Sequence, residues 1–239
     1  MKLDEIKKLH QKKYRQQFGH YLVEGEHLVL ELQKAAQTDA RLRSSKVYVT
    51  AEREHWSTPF ELHVISNRHM DAIVETESPQ GIVALVPMIP AAAPQAGEQS
   101  IYLHEAQDPG NLGTILRTLA WFGGFRCLLS PGSVDPYNSK VLRASMGAIF
   151  HVAIETDIAI DSLPKRFDRM ACLDMQGEPI QSAPFKTAGC YLFGNEARGL
   201  PREHIDRLSA RRFAIRGTRA IESLNLASTV NMCAYELRR

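Results

Sequence analysis

The chain has 239 residues, 44% of them hydrophobic and 23% charged, which suffices for one large core or two modest ones in an ordinary globular protein. No apolar run approaches the roughly 18 to 20 residues that span a bilayer, and the N-terminal segment lacks the apolar stretch of a signal peptide, so we expect a cytoplasmic protein with no membrane partner. The net charge of +2 is too small to establish a nucleic-acid partner, although basic residues crowd the first segment, MKLDEIKKLHQKKYRQQ.

The cysteines indicate neither a metal site nor a disulfide framework. All four lie in apolar surroundings without CxxC spacing, at Cys127, Cys172, Cys190 and Cys233. We therefore expect buried free thiols and no bound metal.

Short strands and helices alternate in the part of the chain before residue 87. A basic helix comes first, and a strand near GHYLVE gives way to a helix from about Gly25. The segments KVYVT, ELHVIS and GIVALVPM are typical of strands, and SNRHMDAIVET, between the last two, is typical of a helix. We predict a small α/β domain over residues 1–86.

A linker follows over residues 87–98, because PMIPAAAPQAGEQS interrupts every periodic pattern with prolines, alanines and a glycine. Beyond it, strands are predicted at SIYLHEA, FRCLLS, HVAIET, RMACLDM, GCYLFGN and RRFAI. Helices are predicted at 112–122, YNSKVLRASMGAIF, 202–208 and IESLNLASTVNMCAYEL. This alternation over 99–239 predicts a mostly parallel sheet with helices on both faces, whose ligands bind beyond the carboxyl ends of the strands.

Three loops at such strand ends combine glycine with polar residues. In DPGNLGTILRT, Asn111 can cap the following helix, and Arg117 falls six residues later, close enough to reach back toward the start of the helix. A capped helix with a solvated arginine explains that spacing equally well. In LFGNEARGLP, Glu196 follows an apolar strand, where it is either a site residue or a helix-start carboxylate.

The third loop, IRGTRAIESLNLA, leads into the terminal helix. That helix has a stripe at Leu224, Ala227, Val230, Ala234 and Leu237, and its polar start is either a cap or a ligand site. No loop matches GxGxxG or a P-loop, which disfavours nicotinamide and nucleoside-triphosphate enzymes.

Taken in order, DPGNLGTILRTLAWFG, LFGNEARGLP and IRGTRAIESLNLA resemble the three signature motifs of the SpoU-type (TrmH-like) RNA ribose 2′-O-methyltransferases, in the knotted SPOUT superfamily. SVDPYNSKVLRASMGAIFHVAI is similar to the family's stretch between the first two motifs, and KKYRQQFGHYLVEGEHLVLEL with ESPQGIVALV resembles its accessory RNA-binding domain. The resemblance implies a C-terminal trefoil knot and a homodimer whose interface helps to form the active site. It also implies S-adenosyl-L-methionine as cofactor and RNA as substrate, with ribosomal RNA favoured over transfer RNA.

The resemblance also implies roles for particular residues. Backbone groups of Gly194, Ile215 and Leu224 would hold the adenosine part of the cofactor. The catalytic set would be Arg117, Asn111, Glu196, Ser223 and Asn225. We expect Arg117 to hold the target phosphate and stabilise developing oxyanion charge, because its pKa makes it an improbable base; a direct proton-accepting role is the alternative.

RNA phosphates would meet a set of basic residues: Lys140, Arg143, Arg198, Lys12, Lys13 and Arg15. Each of these alone is equally typical of a solvated surface. The third motif departs from the family pattern at Arg216, Gly217 and Arg219, which leaves a non-catalytic RNA-binding relative as an alternative. A dehydrogenase on a doubly wound sheet is a more remote one.

Overall fold

The computed structural model describes residues 1–218 and 220–239, which form two compact units. The N-terminal unit comprises residues 1–90 and 135–151, and the C-terminal unit comprises residues 91–134 and 152–239. The helices are α1 Leu3–Ile6, α2 Lys12–Phe18, α3 Glu26–Thr38, α4 Asn67–Ile73, α5 Pro109–Phe122, α6 Ser139–Ser145, α7 Arg202–Arg207 and α8 Leu226–Arg238. The strands are β1 His20–Glu24, β2 Lys46–Val49, β3 Glu61–Val64, β4 Ile82–Pro87, β5 Gln99–Leu103, β6 Phe125–Leu129, β7 Ala153–Glu155, β8 Met170–Pro179, β9 Cys190–Phe193 and β10 Arg211–Ala214.

The N-terminal unit is built on a mixed sheet with strand order β1-β4-β2-β3. Strand β4 runs antiparallel to β1 and β2, whereas β2 and β3 are parallel. Helix α3 buries one stripe at Leu28, Val29, Leu32, Ala35 and Ala36. Those residues recur at three- and four-residue steps, so the helix has one apolar face for the core and a polar face for solvent.

The segment 135–151 packs within the N-terminal unit, although the predicted boundary placed it in the domain over 99–239. The Tyr137 ring lies 4.6 Å from the Tyr21 ring, and α6 contacts β1. The helix predicted over YNSKVLRASMGAIF is interrupted, because Met146 and Gly147 have φ angles of 50° and 91°. At Gly147 a side chain would also lie 2.6 Å from Glu31 Cβ, so the close approach of α3 requires glycine there.

The C-terminal unit contains a parallel sheet whose order among the described residues is β10-β8-β9-β5-β6-β7. Every residue of β6 is buried, as expected for a parallel strand covered on both faces. One face of the sheet packs against α7 and the 3₁₀ segment Ile160–Lys165, through Ile160, Leu163, Ile205 and Leu208. Helix α5 packs against β6 and α8.

Burial confirms one sequence expectation and corrects another. All four cysteines are free and buried. Leu224, however, is 42% exposed and precedes α8, so it does not belong to the buried stripe of that helix. Within residues 1–218 and 220–239, no helix has both the length and the apolar character needed to cross a bilayer.

Candidate active site

Loops that follow β5, β9 and β10 supply the candidate site in the C-terminal unit. Because these strands are parallel, their carboxyl ends lie at one edge of the sheet. The first loop leads into α5 and the third into α8, and α5 packs against α8. The sheet therefore brings together segments that are more than a hundred residues apart in the sequence.

Asp108, rather than Asn111, caps α5. The Asp108 Oδ1 accepts a hydrogen bond from the Asn111 backbone N–H at 2.6 Å, and Pro109 occupies the first helical position. Proline suits that position because its missing N–H would have no partner within the helix. The cap at Asp108 leaves the Asn111 side chain available for other partners.

The Asn111 side chain joins the three loops. Its Nδ2 donates to Glu196 Oε1 at 3.3 Å, and its Oδ1 accepts from Asn225 Nδ2 at 2.9 Å. Glu196 also accepts from the Gln107 backbone N–H at 3.4 Å. Three of the predicted catalytic residues therefore form one hydrogen-bonded chain, in which the carboxylate fixes which end of the Asn111 amide faces it.

The polar start of the last helix serves both as a cap and as part of this chain. The Asn225 Oδ1 accepts from the Ser228 backbone N–H at 3.1 Å, while its Nδ2 reaches Asn111. Ser223, two residues earlier, is exposed in the same loop. One asparagine thus satisfies a helix N-terminus and contacts the first loop.

Buried Asn195 holds the second loop in place, a role that is not among the site residues predicted from the sequence. Its Nδ2 donates to the Glu105 carbonyl at 2.8 Å, and its Oδ1 accepts from the backbone N–H groups of Ala197 and Arg198 at 3.0 and 3.1 Å. An asparagine side chain readily bonds to the backbone two residues ahead. The turn-forming pair Asn195 and Gly199 was therefore the feature of the sequence that could have indicated this role.

Gly194 is required by close backbone approach. A Cβ at this position would lie 2.6 Å from the Gly199 Cα and overlap the backbone that follows it. At Gly217, by contrast, a Cβ would meet nothing within 4 Å, so the described structure gives no steric reason for glycine there. Arg216 is exposed, and the Arg219 departure lies outside the described residues.

Two basic groups near the loops differ in their surroundings. Arg117 is exposed on α5 and has no hydrogen bond or ion pair to the described residues. His104, which follows β5, is half-buried, and burial lowers its pKa, so the imidazole is neutral at neutral pH. Within the described part of the chain, no group of three or more His, Cys, Asp and Glu side chains could hold a metal ion.

Residues 98–235 match the model of the SpoU rRNA methylase family, and residues 1–84 match that of the MRM3-like substrate binding domain. The chain belongs to the SpoU rRNA methylase family. Its C-terminal unit accordingly has the knotted α/β fold with a parallel sheet and helices on both faces that the sequence motifs imply. The family assignment in the sequence analysis is thereby confirmed.

Relatives of this SpoU protein match nearly its full length. The 23S rRNA (guanosine(2553)-2′-O)-methyltransferase RlmP of Bacillus subtilis is 30% identical, over 99% of this chain and 96% of its own. A putative RNA methyltransferase of the TrmH family from Porphyromonas gingivalis has a TM-score of 0.83 at 26% identity, covering 99% and 96% of the two chains. An AdoMet-bound rRNA methyltransferase from Sinorhizobium meliloti, with a TM-score of 0.80 at 24% identity and 99% and 93% coverage, shares the fold.

The basic residues predicted to meet RNA in this SpoU protein have unequal access to solvent. Lys12, Lys13, Lys140 and Arg143 are exposed on α2 and α6 of the N-terminal unit. Arg198 is exposed in the second loop of the C-terminal unit, and its guanidinium pairs with Glu105.

Arg15 is not available to RNA, and its prediction as a phosphate-binding residue is wrong. It is 5% exposed, and its guanidinium donates to Asp135 and to the carbonyls of Leu9 and His10. These partners all lie within the N-terminal unit, so the buried charge of Arg15 is compensated by hydrogen bonds inside that unit.

Proposed function

We propose that the protein transfers a methyl group from S-adenosyl-L-methionine to a ribose 2′-hydroxyl of RNA, with ribosomal RNA as the favoured substrate. The observation that carries the proposal is the Asn111 side chain, which bonds to Glu196 and Asn225 from two other loops. It rests also on membership of the SpoU family and on the names of the relatives above.

The three positions assigned to the cofactor suit its adenosine part. Ile215 and Leu224 lie outside helices and strands, where their backbone groups can serve a ligand, and the 42% exposed Leu224 offers an apolar contact. Gly194 presents backbone without a side chain. When bound there, S-adenosyl-L-methionine supplies an electrophilic methyl group.

The protein's own task is to place the RNA sugar and to stabilise charge. Arg117 is permanently charged, exposed and unpaired among the described residues, so its guanidinium can bind a phosphate and stabilise negative charge on the ribose oxygen. Glu196 can accept a hydrogen bond from a hydroxyl. Asn111 holds that carboxylate in place, and exposed Ser223 adds a hydroxyl beside Asn225.

A labelling experiment tests this function. The protein is incubated with radiolabelled S-adenosylmethionine and with unmodified ribosomal or transfer RNA; label in ribosomal RNA supports the proposal.

Arg117→Ala should reduce the rate about 100- to 1000-fold, the usual cost of removing a charge-stabilising donor, with cofactor affinity unchanged by calorimetry. Arg207→Ala, at an exposed arginine of α7, is the control. RNA binding without label would indicate the non-catalytic relative, and label only in transfer RNA would change the substrate.

We also propose a homodimer that forms through the outer face of α5 and α8. Trp121, Met232 and Tyr235 are 85%, 44% and 58% exposed there, and such large apolar side chains are favoured at interfaces. Light scattering should give twice the chain mass, and Trp121→Glu should give a monomer without methylation activity.

Since ribosomal RNA is the favoured substrate, we place the reaction in the cytoplasm.

A further inference from the structure

Glu105 has an unusual backbone conformation at the edge of the candidate site. It lies two residues beyond β5, and its φ of 48° is in the left-handed region that glycine favours. For a residue with a side chain, this conformation is strained and persists only when the surroundings hold it. A glutamate here therefore calls for a physical reason.

Both backbone groups of Glu105 bond to neighbouring loops. Its N–H donates to Ser130 Oγ at 2.7 Å, in the loop after β6. Its carbonyl accepts from Asn195 Nδ2 at 2.8 Å and from Gln107 Nε2 at 3.2 Å. These bonds hold the left-handed conformation and connect it to the second signature loop.

The Glu105 side chain is directed to Arg198. One of its carboxylate oxygens accepts from an Arg198 terminal nitrogen at 2.6 Å. Asn195, which bonds to the Glu105 carbonyl, also accepts from the Arg198 backbone N–H at 3.1 Å. Glu105 thus restrains Arg198 at both ends, directly at the guanidinium and through Asn195 at the backbone.

The restraint leaves most of the arginine free to bind. The Arg198 side chain is 74% exposed and the Glu105 side chain 35% exposed. A guanidinium has five N–H donors, and the pair with Glu105 engages only one nitrogen. The remaining donors can form a two-point contact with a phosphate, which is the geometry that arginine supports best.

We propose that Glu105 is a positioning residue that orders Arg198 to receive a phosphate of the RNA substrate. The inference rests on the proposed function for its RNA ligand. An arginine that is ordered before binding loses less side-chain entropy when it meets a phosphate. This benefit offsets the strain of a non-glycine residue at position 105.

Glu105→Gly tests the proposal because glycine adopts this φ without strain and removes the whole side chain with its carboxylate, while the backbone N–H and carbonyl of residue 105 are kept. We expect KM for RNA to rise about 2- to 5-fold, the range for an exposed ion pair, with kcat and cofactor affinity unchanged. Arg198→Ala should raise KM at least as much. The double variant should match Arg198→Ala, since Glu105 acts only through that arginine. Glu105→Gln, which keeps an acceptor oxygen but loses the charge, should raise KM less than Glu105→Gly does.

Glu178→Gln is the matched control, because Glu178 forms a comparably exposed pair with Arg211. Its KM for RNA should not change. A lower KM in Glu105→Gly, no change, or additive effects in the double variant would overturn the proposal.

RNA affinity, measured against salt concentration, separates this proposal from the proposed function. If the unaltered protein binds RNA without methylating it, the proposed function fails, while the order of affinities among the variants still decides the role of Glu105. An unaltered protein that does not bind RNA would overturn both. Arg198→Ala should also lower the salt slope by about 0.7 to 0.9, the value for one phosphate contact.

Discussion

Replacing Arg15 should strongly destabilise the N-terminal unit, although its position in a basic segment is typical of a solvated surface residue. Its side chain is 6% exposed and that of Asp135 is 12% exposed. The guanidinium Nε lies 3.0 Å from an Asp135 oxygen, and Nη1 lies 2.6 and 2.9 Å from the carbonyl oxygens of Leu9 and His10. Arg15→Ala removes all of these donors at once and leaves the Asp135 carboxylate without its charged partner.

The magnitude follows from that burial. Removing one partner of a buried ion pair costs about 3–5 kcal/mol, because the remaining charge stays desolvated without compensation. An exposed surface pair would cost less than about 1 kcal/mol. Arg15→Ala should therefore lower the free energy of unfolding by about 3–5 kcal/mol, whereas Lys13→Ala, two residues away and exposed, should change it by at most about 0.5 kcal/mol.

Urea unfolding measures this difference. The chain has two tryptophans, so Trp121→Phe leaves Trp56 as a fluorescence reporter within the N-terminal unit. Replacing both partners by apolar residues, Arg15→Met with Asp135→Leu, should recover much of the loss, because no charge then remains buried. A loss below about 1 kcal/mol in Arg15→Ala would refute the reasoning, as would a loss of RNA affinity in that variant while it stays fully folded.

Further predictions concern the C-terminal unit. Gly194→Ala should weaken cofactor binding about 5- to 150-fold by calorimetry, since overpacking against the Gly199 backbone costs about 1–3 kcal/mol; wild-type affinity would contradict this. Burial raises the pKa of Cys127 to about 12, so a thiol reagent at pH 8 should label it only after unfolding. Burial by itself would raise the pKa of the Glu155 carboxyl, but the hydrogen bond and charge of Arg166 outweigh burial and lower that pKa overall. The ionised Glu155 therefore contributes stability that is fully present above about pH 4.5 and is lost as the pH falls through the lowered pKa. Glu155→Gln should remove that dependence in urea titrations from pH 3 to 6.

The sequence motifs identified the site because parallel strands impose a shared edge. Asn111, Glu196 and Asn225 follow three strands of one parallel sheet, so their convergence could be expected before any coordinates. The individual role of each residue could not be predicted in the same way. Asp108 and Asn111 are both good capping types, and only the path of the backbone decides that Asp108 caps α5 and leaves Asn111 to bridge the loops.

The sequence alone determined the features that depend on neighbouring residues. These are the apolar strands β5, β6 and β9, the glycine-containing loops that follow strands, and the family to which those loop motifs belong. The tertiary structure decided what depends on a distant partner. Arg15 is buried because Asp135 lies beside it, and Glu105 keeps a left-handed backbone because Ser130, Asn195 and Arg198 hold it. Residue type and spacing carry no information about such contacts, since the groups that satisfy a buried charge or a strained backbone come from elsewhere in the chain.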